Sequence, residues 1–234
     1  MPSAPLLRVE NLRQAQRAAS PENSSRQVLF SGLSFELAAG EHVAVLGARA
    51  SGKTALLRSI ALIQKPEAGH IYFEGKDLAH AWDWQLRAVR QRLQFVGGDP
   101  VRTLPPRYSV EQTLAEPLRI HRRGPAAEQP ARIQAAAVEL GLNPLLLSRA
   151  VSALSPAMRQ RVALARALTL HPSLLICDEL TERLEPAAAQ PLLERLARIC
   201  RAGKIAWLWT TSDPRLAHAF ADRVLRLENG QLSN

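Results

Sequence analysis

Cysteine is nearly absent from this 234-residue chain, and the two present, Cys177 and Cys200, are spaced for neither a disulfide framework nor a thiolate metal site. They read as small core residues of a protein kept in a reducing compartment. Aromatic residues make up 5% of the chain, which leaves no stacking platform for a run of nucleic-acid bases. No apolar run approaches the roughly 20 residues that cross a bilayer, and the opening residues carry no apolar signal core. The expectation is a soluble or peripheral protein. Acid is also short: 21 Asp and Glu face 30 Lys and Arg, for a net charge of +9, and lysine contributes only 4 of those cations. Such a balance favours anionic partners, whether a nucleotide, a nucleic acid or the negatively charged inner leaflet of a membrane. The arginines cluster only locally, at Arg87, Arg90 and Arg92, at Arg119, Arg122 and Arg123, and at Arg159, Arg161 and Arg166. These clusters read as solvated helix faces, and a nucleic-acid partner is not expected.

What is present is concentrated chemistry. Gly47-Ala48-Arg49-Ala50-Ser51-Gly52-Lys53-Thr54 fits G-x-x-x-x-G-K-[ST], the phosphate-binding loop of nucleoside triphosphatases, with Ala55 continuing it. The apolar run Val43 to Leu46 leads in, and Thr54 to Ile63 follows with helical spacing, so the loop is expected between a buried strand and a helix N-terminus. Glycines at 47 and 52 let the backbone approach phosphates, and the first-turn N–H groups add the positive end of the helix dipole. Lys53 offers a point charge to the β- and γ-phosphates, and Thr54 a hydroxyl to Mg²⁺.

A second element is Leu174-Leu175-Ile176-Cys177-Asp178-Glu179. Four apolar residues predict a buried strand whose end presents Asp178 beside the phosphate loop, where it can hold Mg²⁺, while Glu179 can polarise the water that attacks the γ-phosphate. An apolar strand ending in Asp-Glu is also an ordinary strand-to-loop transition; it is the phosphate loop upstream that favours the chemical reading.

Along the chain, Leu6 to Leu12 and Val28 to Leu37 read as strands separated by a polar mobile loop, Gln14 to Gln27. Val28, Phe30, Leu33, Phe35 and Leu37 are the expected inward residues of the second strand. Gly69 to Gly75 predicts another short strand. From Trp84 to about Leu170 the pattern is mainly helical, broken at Pro105-Pro106 and at Gly124 to Pro130. Strand and helix then alternate: Leu174–Cys177, Ala187–Arg201, Ile205–Thr210, Arg215–Ala221 and Arg223–Leu227, closing at Asn229-Gly230.

Leu154-Ser155-Pro156-Ala157-Met158-Arg159-Gln160-Arg161-Val162-Ala163-Leu164-Ala165-Arg166-Ala167-Leu168 resembles the L-S-G-G-Q-R-Q-R-V-A-L-A-R-A-L signature of ATP-binding cassette (ABC) transporter ATPases. Asp178-Glu179-Leu180-Thr181-Glu182-Arg183-Leu184-Glu185-Pro186 resembles the same family's D-E-P-T-S-A-L-D-P. Gln94 to Pro100 and Val110 to Leu118 look most like the ATPases of oligopeptide, dipeptide and nickel importers. The resemblance implies one α/β ABC ATPase domain over 1–234, a P-loop NTPase with a mainly parallel sheet and an antiparallel β edge. Its nucleotide-binding core would be 1–84 with 171–234, and 85–170 a helical subdomain. It further implies ATP and Mg²⁺ as cofactors, transmembrane permease subunits as partners that choose the solute, and a peripheral place on the cytoplasmic face of the inner membrane.

Where the chain departs from the family pattern, the resemblance implies weakened chemistry. Gly98 stands where the family has a glutamine that contacts Mg²⁺ and the attacking water and links to the membrane subunit. Ser212 stands at the switch histidine that touches the γ-phosphate; it keeps a hydroxyl but has shorter reach and cannot become a cation. The adenine-stacking aromatic would fall near Gln16, and Glu185 replaces an aspartate. Ser155 survives in the signature as a helix N-cap, but Pro156 lacks an N–H and Ala157 and Met158 add bulk, so the clamp on a neighbouring subunit's ATP should be weak. The expected outcome is slow or partner-dependent hydrolysis, in a heterodimer with a second ABC ATPase chain. The alternative is a hydrolysis-deficient relative acting as a structural or regulatory subunit.

Overall fold

The computed structural model describes residues 4–17, 26–78, 81, 83–122 and 124–233. The chain divides into two compact units, residues 1–89 with 206–234 and residues 90–205. The first unit begins with β1 (Leu7–Arg17), β2 (Arg26–Leu37), β3 (His42–Leu46), α1 (Lys53–Ile60), β4 (Ala68–Phe73) and β5 (Lys76–Asp77), followed by α2 (Asp83–Arg92), which leads into the second. The second unit carries β6 (Leu93–Val96), α3 (Pro100–Thr103), α4 (Val110–Ile120), α5 (Gln129–Glu139), α6 (Pro156–Leu168), β7 (Leu174–Cys177) and α7 (Pro186–Ala202). The chain returns to the first unit with β8 (Ala206–Thr211), α8 (Pro214–Phe220), β9 (Arg223–Glu228) and β10 (Gln231–Ser233).

In the first unit β2, β1, β4 and β5 form an antiparallel sheet in that order, and β3 pairs in parallel with β9 on one side and β8 on the other. Two-sided pairing explains why His42-Val43-Ala44-Val45-Leu46 shows no alternation: all five residues are buried. β8 is equally buried, and its Trp207 and Trp209, two residues apart and so on one face, stack at 4.9 Å with His42 edge-on to Trp207 at 5.5 Å. In the second unit β6 and β7 pair in parallel, Leu93 opposite Leu174 and Val96 opposite Cys177. Helix α4 starts on a reciprocal cap: Ser109 Oγ accepts from Gln112 N–H and Gln112 Oε1 from Ser109 N–H. The parallel ladders, the antiparallel edge and the helix-rich middle agree with the expected fold class.

Several boundaries differ from the sequence expectation. The segment read as a polar loop contributes Gln14 to Arg17 and Arg26 to Gln27 to the antiparallel ladder, with Gln16 opposite Gln27, because ladder bonds are made by backbone whatever the side chain. Residues 18–25, where that loop and its mobility were expected, lie outside the described residues. Val28 is exposed whereas Phe30, Leu33, Phe35 and Leu37 are buried: a register shift opposite Gln14 and Ala15 leaves Leu29 extra between Val28 and Phe30, and a second, at Ser31-Gly32, resets the alternation before Leu33. Helix α1 stops at Ile60 instead of Ile63: Leu62 turns left-handed at φ 56°, Ile63 N–H bonds Arg58 O and Leu62 N–H bonds Ser59 O, a Schellman ending that no glycine announced. The mainly helical stretch contains the strand β6, and β5 and β10 were not anticipated. Asn229 and Gly230, at φ 50° and 74°, make the turn joining β9 to β10.

Both cysteines are fully buried, and burial pushes the Cys200 thiol up to about 12. The native protein is expected to give no reaction with Ellman's reagent on the minute scale, and two thiols per chain in guanidinium. Native labelling at the denatured rate would contradict this packing.

Candidate functional site

The phosphate loop sits where β3 ends and α1 begins, as the motif requires. Gly52 precedes the helix at φ 99°, a conformation L side chains rarely adopt, and the first intrahelical bond runs from Leu56 N–H to Gly52 O. The amides of Lys53, Thr54 and Ala55 therefore lie ahead of the helix's own ladder, at the positive end of its dipole. A Cβ at Gly47 would come within 2.7 Å of both Leu227 O and Ser51 Oγ, so the loop's entry admits hydrogen alone. Lys53 is 2% exposed, and its ammonium donates to Gly47 O at 2.9 Å and Ala48 O at 2.8 Å, bracing the loop from inside. Ser51 Oγ is buried without a hydrogen-bond partner. A closely packed glycine, a buried cation at the loop and an orphaned hydroxyl together fit a bound triphosphate.

Ser212 follows β8 in the same unit and is exposed. Leu46 and Thr211 are register partners, and Gly47 N–H donates to Thr211 O at 3.4 Å, so Ser212 stands next to the start of the phosphate loop. Asp213 behind it caps α8, accepting from Arg215 N–H at 2.8 Å. Partial burial raises its pKa, but the Arg215 amide, the Arg215 guanidinium and the Leu216 amide outweigh this and hold the carboxyl below its usual range. An open groove of about 810 Å³ runs along the loop's outer side, between Gln27 to Ser31, Ala48 to Ser51 and the β9–β10 turn. Val28, 49% exposed, is its largest accessible apolar contact. Gln16, at the position expected for a stacking aromatic, is an exposed strand residue.

The second unit holds the remaining predicted residues. Strand β7 is fully buried and delivers Asp178, 6% exposed, whose N–H bonds Val96 O at 2.9 Å. Glu179 follows at φ 48°. The loop after β6 lies against this turn: Asp99 pairs with Arg183 at 3.2 Å, and the buried Gln160 of α6 donates to Gly97 O at 3.4 Å. Neither Gln160 nor the Asp99–Arg183 pair was singled out from sequence, because a contact between distant residues leaves no local pattern. At the start of α6, Ser155 Oγ accepts from Met158 N–H at 3.3 Å, and Pro156 occupies the first helical position. Of that first turn, only the Ala157 amide is left outside these bonds. Met158 is 39% exposed, an apolar side chain at a helix start that offers little to an anion.

A parallel strand running through this glycine-rich loop into a helix, with an Asp-Glu strand end elsewhere in the chain, defines a P-loop nucleoside triphosphatase. Residues 30–182 match the ABC transporter family model, and the chain belongs to that family as an ATPase cassette. It is 31% identical over 232 residues to a Brucella ovis protein provisionally described as a peptide import ATP-binding protein, covering 99% of this chain and 72% of that one. With a nickel import ATP-binding protein of Escherichia coli it shares 34% identity over 206 residues, 88% of this chain and 77% of the relative. Among solved structures it is similar to a dimeric ATP-binding cassette in a post-hydrolysis state with ADP and Pi, with a TM-score of 0.86 and 22% identity over 97% of each chain. Among the described residues no helix is long and apolar enough to cross a membrane.

Proposed function

We propose that this chain is the ATP-binding subunit of an ABC importer for a peptide or a metal such as nickel, and that it couples ATP binding to transport through transmembrane permease subunits. The observation that carries the reading is the phosphate loop, with buried Lys53 and the amides of Thr54 and Ala55 at the start of α1, in a chain of the ABC transporter family. In this reading Gly47 to Ala55 and Ser212 surround the phosphates, Thr54 and Asp178 hold Mg²⁺, Glu179 polarises the attacking water, and Ser155 faces a neighbouring subunit's nucleotide. Residues 1–84 and 171–234 act as the nucleotide-binding core, and 85–170 as the helical subdomain that docks on the permease around Gly98 to Leu118. The chain works peripherally, on the cytoplasmic face of the inner membrane.

Hydrolysis is slow in this chain, and its partner is a second, different ABC ATPase. A homodimer would set two weakened signatures against two sites that lack the glutamine and the histidine, whereas a heterodimer supplies this chain's ATP with an ordinary signature. The first turn of α6, with one amide left for an anion, supports that asymmetry. A second reading, a non-hydrolysing structural subunit, is favoured by one observation: Ser212, exposed next to the start of the phosphate loop, has no cation to offer a γ-phosphate. Co-purification from native membranes tests the assembly. Recovery of a second ATPase and a membrane subunit is expected; a homodimer alone would refute it.

A further inference from the structure

Within the second unit the loops after β6 and β7 close on each other at one point. A Cβ at Gly98 would sit 2.6 Å from Glu179 O and 3.0 Å from Asp178 O, a contact with main chain that no rotamer can relieve. Two ties flank it: Asp178 N–H to Val96 O at 2.9 Å, and the Arg183 guanidinium to the Asp99 carboxylate at 3.2 Å. Asp99 is itself held by capping α3, accepting from Val101 N–H at 3.2 Å. Between these ties Glu179 keeps φ at 48°, in the left-handed region where a non-glycine residue stays only when its surroundings hold it, and its carbonyl accepts from Glu182 N–H at 3.2 Å.

We propose that Gly98, reinforced by the Asp99–Arg183 ion pair, clamps the main chain of Glu179 in its left-handed turn, making Gly98 a positioning residue for the Glu179 carboxylate. The inference rests on the reading of Glu179 as the residue that polarises water. It changes the meaning of the glycine. Position 98 is committed to the closeness of two backbones, so glutamine placed there displaces the Glu179 turn before its amide can serve any chemistry. Steric contact carries most of the effect; the ion pair is the smaller part, because the Arg183 side chain is 63% exposed and its charge is well screened.

The test uses the full chain with MgATP and enzyme in excess. Single-turnover phosphate release is measured for wild type, Gly98→Ala, Gly98→Gln, Arg183→Ala, Arg183→Lys and Glu179→Gln, together with amide hydrogen exchange over residues 178–184. Gly98→Ala is expected to slow the chemical step by about 10²-fold, since a displacement near 1 Å is enough for that, with half-saturation by MgATP changed less than about twofold. Gly98→Gln should be no faster than Gly98→Ala. Arg183→Ala should slow turnover and speed exchange at the Glu182 amide, each by about 2–5-fold, and Arg183→Lys should return both toward wild type. Turnover by Gly98→Gln at or above the wild-type rate, or unchanged exchange over 178–184 in both Gly98→Ala and Arg183→Ala, overturns the clamp. An unchanged rate in Glu179→Gln overturns instead the reading of Glu179 as catalytic, and exchange then decides the clamp by itself.

Discussion

Lys53→Ala is expected to weaken MgATP binding at least about tenfold, because a charge-assisted hydrogen bond to a phosphate contributes on the order of 1.5–3 kcal/mol. The geometry of the loop bounds the effect from both sides. In the structure Lys53 is 2% exposed and its ammonium bonds the carbonyls of Gly47 and Ala48, so a bound triphosphate must compete with two bonds already made, which lowers the net contribution of the charge. The same two bonds brace the loop, however, so truncation also loosens the amides that face the phosphates. Lost charge and lost preorganisation act in one direction on affinity, and together they outweigh the competition. Titration calorimetry with the purified variant, after its thermal unfolding midpoint is compared with wild type, gives the measurement. An unchanged dissociation constant in a folded variant would remove the assignment of the loop.

The isolated chain is expected to hydrolyse ATP very slowly, about 10²-fold or more below a cassette that keeps both the glutamine and the histidine, since losing even one preorganised transition-state contact typically has that effect. Two such contacts are changed here. Ser212 is exposed next to the start of the phosphate loop, but a serine hydroxyl cannot supply a cation there. Gly98 has no side chain, and the main chain of Glu179 occupies the space where one would begin. Against these losses stand the retained Glu179 and Asp178 at the end of β7, which preserve the means for a slow reaction. Phosphate release by the pure chain, with and without the co-purified ATPase, is the measurement. Robust turnover by the chain alone, abolished in Glu179→Gln, would show that neither the glycine nor the serine limits the reaction.

Some of this protein was determined by local sequence alone. The phosphate loop is contiguous, and its demands, a tight glycine entry, a left-handed Gly52 and a lysine opening a helix, are met by neighbours in the chain. The buried strands β3 and β7 announced themselves as short apolar runs, and α7, α8 and β9 appeared within a residue or two of their expected limits. Tertiary structure decided the rest. β1 and β2 extend through polar residues because each supplies the other's backbone partners, and α1 stops early on a Schellman ending whose left-handed residue is a leucine. In the sequence Gly98 looks only like a missing glutamine, and Asp99 and Arg183 like unrelated surface charges. Their meaning came from an approach of two backbones at 2.6 Å and an ion pair between two loops, distances fixed by how β6 and β7 pair. Periodicity and turn chemistry act over a few residues and so leave a trace in the sequence; a contact between loops far apart in the chain is set by packing and leaves none.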